Sequence, residues 1–358
     1  MNTGAIDEAV RRSVGTVDSR SEEEARDAYG RLVDGGWSQV GVPESFGGGG
    51  GTIADAAEVT AAVARSGIGM PIAESTMIMG WFAEVAGLAL PSTARCVIPV
   101  VPSSVFSRAS DGLLTGRAPR VAWASWATHL MVPLPAGNQR LMIACVEASQ
   151  VRLCAGTNLA GEPREDVWID SVQPSTVKVL DIEYANFVDE LLAVAALARC
   201  VQMAAVIPEL LTMSARYGAE REQFGRPIAA FQAVQQMLST LAAESAAAAA
   251  SVDLAIAAWR GGPQMTAVAV AKARCSSAAG VAARVAHQIH GAIGLTEEHH
   301  LQRYTRALWA WREEYGAEQF WARRLAEAFR QESGTPWERI LALTDRRARL
   351  VAPRGSDV

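Results

Sequence analysis

The sequence has no cysteine pattern that would indicate a metal site or a disulfide framework. Its five cysteines are odd in number, scattered over 358 residues and without C-x-x-C spacing. Structural zinc sites use closely spaced cysteines or histidines, and small secreted domains use dense, even-numbered cysteines. We therefore predict no metal site and a reducing compartment.

Excess positive charge and long apolar runs are also lacking. The formal net charge is -5, so the chain has no basic field for binding a phosphate backbone. The first residues contain no basic segment followed by an apolar one, and no stretch reaches the roughly 18 uninterrupted apolar residues that a membrane-spanning helix requires. These absences predict no nucleic-acid partner, no membrane partner and a cytoplasmic location.

Aromatic residues make up only 6% of the chain, whereas hydrophobic residues make up 50%. Much of this hydrophobic content is alanine in the C-terminal half, and alanine is the strongest helix former. The composition is sufficient for a large core. It predicts a mainly α protein.

Residues 7–90 show apolar residues at helical spacing, which predicts an N-terminal helical domain over residues 1–95. Five consecutive glycines, residues 47–51, interrupt it and must form a loop because glycine runs lose too much entropy in regular structure. This loop is either a plain connector or a segment that faces a ligand.

Hydrophobic alternation with a period of two begins after this domain and predicts a middle β-domain over residues 96–182. The predicted strands are residues 97–101, 129–132, 140–144 and 177–180. Long helices, broken near residues 225–227, 261–263 and 291–294, then predict a C-terminal helical domain over residues 183–333 and a tail over residues 334–358. Pro208 should kink the first long helix unless a new turn starts there.

Two segments of the C-terminal domain carry candidate ligand-binding residues. Arg221 ends one helix just before the Gly225-Arg226-Pro227 turn, where its guanidinium could bind a pyrophosphate or simply cap the helix. Phe231 then begins an apolar helix face that Gln232 flanks, a pattern that suits a bound cofactor. In the second segment, Gln288 and Gly291 either approach a ligand or form a glycine C-cap.

In this order and at this separation, the two segments resemble the C-terminal domain of acyl-CoA dehydrogenases, where an R-x-x-F-G turn, an F-Q pair and a Q-x-x-G-G-x-G segment bind FAD. Ala292 replaces the second glycine of the last motif. The resemblance implies an N-terminal helical bundle, a middle β-barrel-like domain and a C-terminal four-helix bundle. The cofactor-binding residues that it implies are Arg221, Gln223, Phe224, Phe231, Gln232, Gln288, His290, Gly291 and Ala292.

The resemblance also implies an activity and partners. Family members dehydrogenate an acyl-CoA thioester between its α and β carbons, with FAD as the hydride acceptor and an electron-transfer flavoprotein as the oxidant. The FAD site is shared between subunits, which implies a dimer or a tetramer. The sequence is most similar to the short, divergent bacterial branch that degrades sterols or other unusual acyl-CoA substrates.

The catalytic base of the family has no direct counterpart. Tyr315 stands where the glutamate of many relatives stands, and Ala195 stands at the alternative position. The nearest carboxylates, Glu314 and Glu313, are the candidate catalytic residues, although either could be a solvated helix residue; Glu190 is a more distant candidate.

The middle domain departs from the family as well. No T-E-P-x-x-G-S-D stretch occurs between Cys96 and Gly116. Residues 116–124 still resemble the strand that faces the flavin in the family, but Arg120 and Ala122 stand where tryptophan and threonine are usual. Three assemblies therefore stay open: a self-sufficient homo-oligomer, an α2β2 tetramer with a complete paralogue, and a non-catalytic subunit that stabilises a partner's FAD site.

Overall fold

The computed structural model describes residues 3–15, 21–90, 97–99, 105–296 and 298–331, together with residues 335, 337, 338 and 341. Cys96, the last two residues of the first predicted strand and most of the predicted C-terminal tail lie outside this part. Within it, helices predominate around a small β region, so the predicted fold class is confirmed.

The described N-terminal helices begin with defined caps. The Thr52 hydroxyl accepts the Asp55 N–H and the Asp55 carboxylate accepts the Thr52 N–H, which forms a capping box. Ser21 caps the preceding helix by accepting the Glu24 N–H. The α-helices of this region are α1 (Thr3–Val14), α2 (Glu22–Asp34), α3 (Ile53–Arg65) and α4 (Met79–Ala86).

The glycine run forms an ordered loop that packs closely against the preceding residues. Gly48 donates its N–H to Pro43 O at 3.1 Å, and Gly50 donates to Val42 O at 2.8 Å. A Cβ atom at Gly48 would lie 2.2 Å from Val42 O. Glycine is thus required there by a close backbone approach, which a freely flexible connector would not need.

In the described part of the chain, eight strands form two four-stranded sheets. The strands are β1 (Val97–Pro99), β2 (Val105–Arg108), β3 (Leu114–Ala122), β4 (His129–Pro135), β5 (Arg140–Glu147), β6 (Arg152–Cys154), β7 (Arg164–Val172) and β8 (Thr176–Glu183). Their orders are β1-β4-β5-β8 and β2-β3-β7-β6. Three predicted strands are confirmed in full and the first over its described residues. The predictions missed β2, β6 and β7, since β2 and β6 are short and β7 mixes charged with apolar residues.

Long helices follow the sheets, as predicted, and break at the predicted places. A two-stranded hairpin, glycine-containing turns and a short 3-10 helix separate them. Helix α5 runs without interruption through Pro208. The elements are α5 (Tyr184–Glu220), β9 (Glu222–Gln223), β10 (Arg226–Pro227), α6 (Gln232–Ala257), α7 (Met265–His290), α8 (Leu301–Glu313) and α9 (Glu318–Gln331).

Helices α5 and α6 are both long and apolar enough to cross a membrane by length and composition. In α5, 89% of the most apolar window is buried inside the protein, which is typical of a core helix. In α6 only 28% is buried, and most alanines between residues 242 and 250 are exposed. Most of these alanines are therefore not covered by the described part of this chain.

Two hydrophobic cores hold the elements together. One packs α5, α6, α7 and α8 against α4 and strands β4 and β5. The other packs α1, α2 and α3 against both sheets. Because both cores cross the predicted limits near residues 95 and 182, the exact domain boundaries stay predictions.

Candidate functional site

The two candidate cofactor-binding segments meet on one surface. The ring of Tyr217, in the last turn of α5, stacks on the ring of His290 at the end of α7, with 4.7 Å between their centroids. Arg221 follows one turn later as the C-cap of α5 and donates its N–H to Tyr217 O at 2.8 Å. Segments that are about 70 residues apart in sequence thus lie side by side. We call the exposed residues of these segments the nucleotide-side surface, after the role that the resemblance implies; they are Arg221, Gln223, Phe224, Gln232, Gln288, Gly291 and Ala292.

The hairpin of β9 and β10 projects an aromatic side chain from this surface. Phe224 is 93% exposed and has a positive φ of 54°. Its ring meets Phe231 edge-on at 6.1 Å, and the Arg226 guanidinium lies 4.2 Å above the Phe231 ring. A bulky residue in this backbone region is strained, and an aromatic ring that is exposed to water lacks the stabilisation that burial of apolar surface gives. Both features fit a surface that a partner or a ligand covers.

The amide side chains of the nucleotide-side surface are also exposed. The Gln223 side chain donates from Nε2 to the neighbouring Glu222 O at 2.8 Å. Gln232 begins α6 and lines an open groove together with Gln235 and Gln236. These amides can donate and accept hydrogen bonds, so the groove suits a polar ligand.

Gly291 ends α7 with a φ of 63° and donates its N–H to His287 O. A Cβ atom there would meet nothing within 4 Å, so the positive φ rather than crowding explains the glycine. Gln288 and Ala292 are exposed on either side of it. The glycine C-cap is therefore present, and Gln288, Gly291 and Ala292 are all exposed at the surface.

His290 lies behind this loop instead of on the surface. It is buried, and its Nδ1 lies 2.8 Å from Ala286 O, which places the proton of the neutral ring on Nδ1. Its Nε2 has no hydrogen-bond partner among the described residues. Burial lowers the pKa of His290, so the ring is neutral near pH 7 and its stacking on Tyr217 supports the loop.

A second candidate site is a cavity of about 580 Å³ between the sheets and α8. The end of β3, including Arg120 and Ala122, lines it together with Glu313, Glu314 and Tyr315. The strand expected to face a flavin and the segment expected to carry the base therefore line the same space. The volume is in the usual range for small-ligand sites.

Arg120 reaches the rim of this cavity through an irregularity in β3. The pairing of β3 with β7 shifts register between Ala118 and Val121, and Arg120 has a positive φ of 53°. Its backbone N–H donates to Asp166 Oδ1 at 2.9 Å, which holds the bulge. Bulges of this kind redirect side chains at functional sites.

Glu314 accepts hydrogen bonds from three side chains. Arg164 donates to both carboxylate oxygens, from Nε at 2.8 Å and from Nη2 at 3.0 Å. Arg199 Nε donates at 2.7 Å and Asn158 Nδ2 at 2.9 Å. With its side chain only 14% exposed, the carboxylate is engaged on both oxygens.

These contacts decide the protonation of Glu314. Burial by itself would raise the pKa of Glu314, but the charges of Arg164 and Arg199 and the hydrogen bonds outweigh it and hold the pKa well below its usual range. A carboxylate with so low a pKa is a weak base.

The two arginines extend the interaction inwards. Arg199, only 1% exposed, donates to Glu74 Oε1 at 2.6 Å and to Gln202 Oε1 at 2.7 Å. Arg164 donates to Glu162 Oε2 at 2.8 Å, and the Trp311 indole N–H donates to the same oxygen at 3.1 Å. We call Glu74, Glu162, Arg164, Arg199 and Glu314 the buried charge network.

Sequence reasoning missed every member of this network except Glu314. A signal was present for Arg199, because it is the single charged residue of the otherwise apolar run 191–201 in α5. A charge in such a position must be paired when it is buried. Arg164 and Glu162 gave no such signal, since charged residues are common at strand ends.

The remaining base candidates lie differently. Glu313 also lines the cavity, but its side chain is 59% exposed and pairs with Arg312 Nε at 3.0 Å. Burial raises the pKa of Tyr315 to about 12, so the phenol is protonated at neutral pH. Ala195 is fully buried in α5. Glu190 is not among the residues that line the cavity, and partial burial raises the pKa of its carboxyl group.

The described residues contain no group of three or more histidine, cysteine, aspartate or glutamate side chains that could hold a metal ion. The four cysteines in this part of the chain, Cys145, Cys154, Cys200 and Cys275, are free thiols.

The two sites lie in a helical protein with a central β region, and known proteins share that fold. Residues 185–329 match the family described as acyl-CoA dehydrogenase, C-terminal domain. The chain is 27% identical over 267 residues to acyl-CoA dehydrogenase IpdE2 of Mycolicibacterium smegmatis, which covers 74% of this chain and 75% of that protein.

Solved structures agree over nearly the whole chain. The ChsE4-ChsE5 complex from Mycobacterium tuberculosis superposes with a TM-score of 0.77 at 20% identity, covering 93% of this chain and 97% of that one. A Tcur3481-Tcur3483 steroid ACAD variant gives a TM-score of 0.78 at 21% identity, covering 92% and 96%. Residues 185–329 therefore match the acyl-CoA dehydrogenase family, the chain as a whole has the fold of these solved structures, and its relatives are named acyl-CoA dehydrogenases, which are FAD-dependent oxidoreductases.

Proposed function

We propose that this chain is a subunit of an acyl-CoA dehydrogenase whose nucleotide-side surface binds FAD across a subunit interface. The family assignment supports the α,β-dehydrogenation of an acyl-CoA thioester. The observation that carries the proposal is the meeting of the two cofactor segments through the stacking of Tyr217 on His290. The residues of these two segments that face outwards do not pack into the hydrophobic core of this chain.

The residues of this surface fit the nucleotide part of FAD. Arg221 is exposed at a helix end and can pair with the pyrophosphate, while Gln223, Gln232 and Gln288 offer amide groups. The open space at Gly291 lets a ligand approach the backbone, and the Ala292 methyl group narrows that approach. Phe224 and Phe231 offer flat apolar faces to a ring or to a partner chain.

When bound, FAD supplies the hydride acceptor. The residues of this chain would bind and orient it: Arg221 neutralises phosphate charge, and the neutral His290 supports the loop beneath the nucleotide. Covering Phe224 would exclude water from the interface. None of these roles requires proton transfer by this surface.

The proposed partners are inferred from the family resemblance and from the solved structures that are similar to this chain. We propose a cytoplasmic assembly that acts on an acyl-CoA and passes electrons to an electron-transfer flavoprotein. Because the ChsE4-ChsE5 structure is a complex and the Tcur3481-Tcur3483 protein is called a steroid ACAD, we favour an α2β2 tetramer with a paralogue and a sterol-derived or similarly unusual acyl group.

Replacing Arg221 tests the role of the nucleotide-side surface. We expect Arg221→Ala to reduce the flavin absorbance of the purified complex at least tenfold, since a lost charge-assisted hydrogen bond costs about 1.5–3 kcal/mol. Arg260→Ala, an exposed arginine in the turn between α6 and α7, is the matched control and should keep full colour. Equal flavin content in the two variants would reject the assigned surface.

A second candidate is a self-sufficient homo-oligomer that uses Glu314 or Glu313 as the base. The observation in its favour is that both carboxylates line the cavity that Ala122 also lines. Anaerobic bleaching of the flavin by an acyl-CoA would then be abolished by Glu314→Gln or Glu313→Gln while the bound flavin remained. Unchanged bleaching in both variants would reject this candidate.

A further inference from the structure

Another cavity, of about 470 Å³, lies between the N-terminal helices and the sheet region. Its lining residues come from the start of α2, from residues 68 and 69, from the turn that follows β3, and from the loop before β7 and the first residues of that strand. It shares no lining residue with the cavity beside Glu314, and no residue of the nucleotide-side surface lines it. Its volume is in the usual range for small-ligand sites.

Two tryptophans line this cavity. The rings of Trp123 and Trp126 meet edge-on, with 5.1 Å between their centroids. Trp123 has a positive φ of 59°, which is strained for a bulky residue, and such strain is concentrated at functional sites. The Arg26 guanidinium lies 4.5 Å from the centroid of the Trp126 ring. The aromatic pair thus already contacts one cation, as indole faces favour.

Three of the four charged side chains among the described lining residues are paired within the chain. Arg26 Nη2 donates to Glu22 Oε1 at 2.9 Å, and Arg164 Nη2 donates to Glu162 Oε2 at 2.8 Å. The charges of both acids are therefore neutralised. The fourth charged side chain that lines the cavity is Glu165.

Glu165 is a buried carboxylate without a basic partner among the described residues. It is 5% exposed, and its Oε2 accepts the Ala124 N–H at 3.0 Å. No lysine, arginine or histidine in the described part of the chain forms an ion pair with it, and its Oε1 accepts no hydrogen bond there. A buried charge normally has a partner of opposite sign. A cation that enters the cavity would supply that partner.

We propose that this cavity binds a small organic ammonium ion, which pairs with Glu165 Oε1 and places its carbon groups against the indole of Trp123. An ammonium suits the site better than a guanidinium, because a guanidinium pairs best with two free carboxylate oxygens and the Ala124 N–H already occupies one. It suits the site better than a metal ion, because the described residues contain no group of three or more potential metal-binding side chains. The bound ion would join α2 to the sheet region and stabilise the fold.

Calorimetric titration of the full chain tests this site. The probe is n-butylammonium chloride, and n-butanol is a neutral counterpart of nearly the same size and shape. Potassium chloride at the same ionic strength serves as the inorganic cation. We expect saturable binding of n-butylammonium and a rise in melting temperature that grows with its concentration, with neither effect from n-butanol or potassium chloride.

Glu165→Gln should lower the affinity for n-butylammonium at least tenfold, because a neutral hydrogen bond replaces the ion pair. The glutamine oxygen can still accept the Ala124 N–H, so the variant should keep the far-UV circular dichroism spectrum of the wild type. Asp170→Asn, which changes an exposed carboxylate of the same strand, is the matched control and should bind the probe as the wild type does.

Equal affinity of Glu165→Gln and the wild type would overturn the proposal. The absence of saturable n-butylammonium binding to the wild type would overturn it as well, and so would equal binding of n-butanol or potassium chloride. The three probes on the wild type decide the question even where the variant does not fold. None of these outcomes depends on flavin, so they are separate from failure of the proposed function, which the Arg221→Ala variant tests.

Discussion

Arg164 and Glu314 form a two-bond ion pair, with Nε and Nη2 of the arginine donating to Oε1 and Oε2 of the carboxylate. The pair connects β7 to the residue that follows α8, so it ties the sheet region to the C-terminal helices. Glu314 is the most obvious candidate base, but the pair makes it poorly suited to that role because a carboxylate that is paired through both oxygens holds a proton weakly. The fold of the solved acyl-CoA dehydrogenase structures thus surrounds a carboxylate that is fully paired in this chain.

Removing the charge of Glu314 should destabilise the chain. We expect Glu314→Gln to lower the free energy of unfolding by about 3–5 kcal/mol, because it leaves two buried arginines incompletely paired. Glu313→Gln, one residue away and exposed, should change it by less than about 0.5 kcal/mol. Urea denaturation of the two variants provides the comparison, and equal stabilities would show that the network contributes nothing.

Glu74→Gln should be milder than Glu314→Gln. Only Oε1 of Glu74 is bonded, to Arg199 Nη2, whereas Oε2 has no partner among the described residues. A glutamine can keep that single acceptor, so we expect a loss of about 1–3 kcal/mol. The same denaturation series tests the order, which would be wrong if Glu74→Gln proved the more destabilising.

The network should make the protein sensitive to acid. The pKa of Glu314 is lowered in the folded state, so below its unfolded value of about 4.3 the unfolded chain binds a proton that the folded chain does not. The stabilisation is therefore complete above that pH and is lost as pH falls below it. Thermal unfolding should show the gap between wild type and Glu314→Gln narrowing from pH 6 towards pH 3; a constant gap would contradict the assignment.

Phe224 should matter for assembly and not for the stability of the single chain. It is almost fully exposed, so Phe224→Ala should leave the melting temperature of the isolated chain within about 1 °C, as surface changes usually do. In the complex, loss of a buried aromatic contact should weaken association or flavin retention at least tenfold. Val179→Ala, which alters an exposed apolar residue of β8, is the control and should affect neither.

Restoring the second glycine of the cofactor segment should strengthen flavin binding. Ala292 is exposed beside Gly291, and its methyl group limits how closely a ligand can approach the backbone. We expect Ala292→Gly to slow flavin loss during dialysis by up to about tenfold, the worth of one improved charge-assisted hydrogen bond. Ala136→Gly, in the turn between β4 and β5, should have no effect, and faster loss from Ala292→Gly would contradict the orientation assigned to this loop.

The sequence was sufficient for the fold because its helices and main strands follow simple periodicities and because Arg221 and Gln288 belong to recognisable motifs. It also placed Glu314 near the expected base position. What it could not provide were the partners of that carboxylate, since Arg164 and Arg199 lie 35 residues apart in sequence, in different elements, and meet only through tertiary packing. The exposed alanines of α6 were likewise unforeseen, because composition predicts a helix but not which of its faces is covered.

The visible absorption spectrum tests the central claim most directly. The chain should be purified alone and, separately, co-expressed with a homologue of the same family. We predict a colourless protein in the first case and, in the second, a yellow complex that contains both chains and is bleached anaerobically by an acyl-CoA. A yellow protein from the chain alone, bleached by the same substrate, would contradict the account.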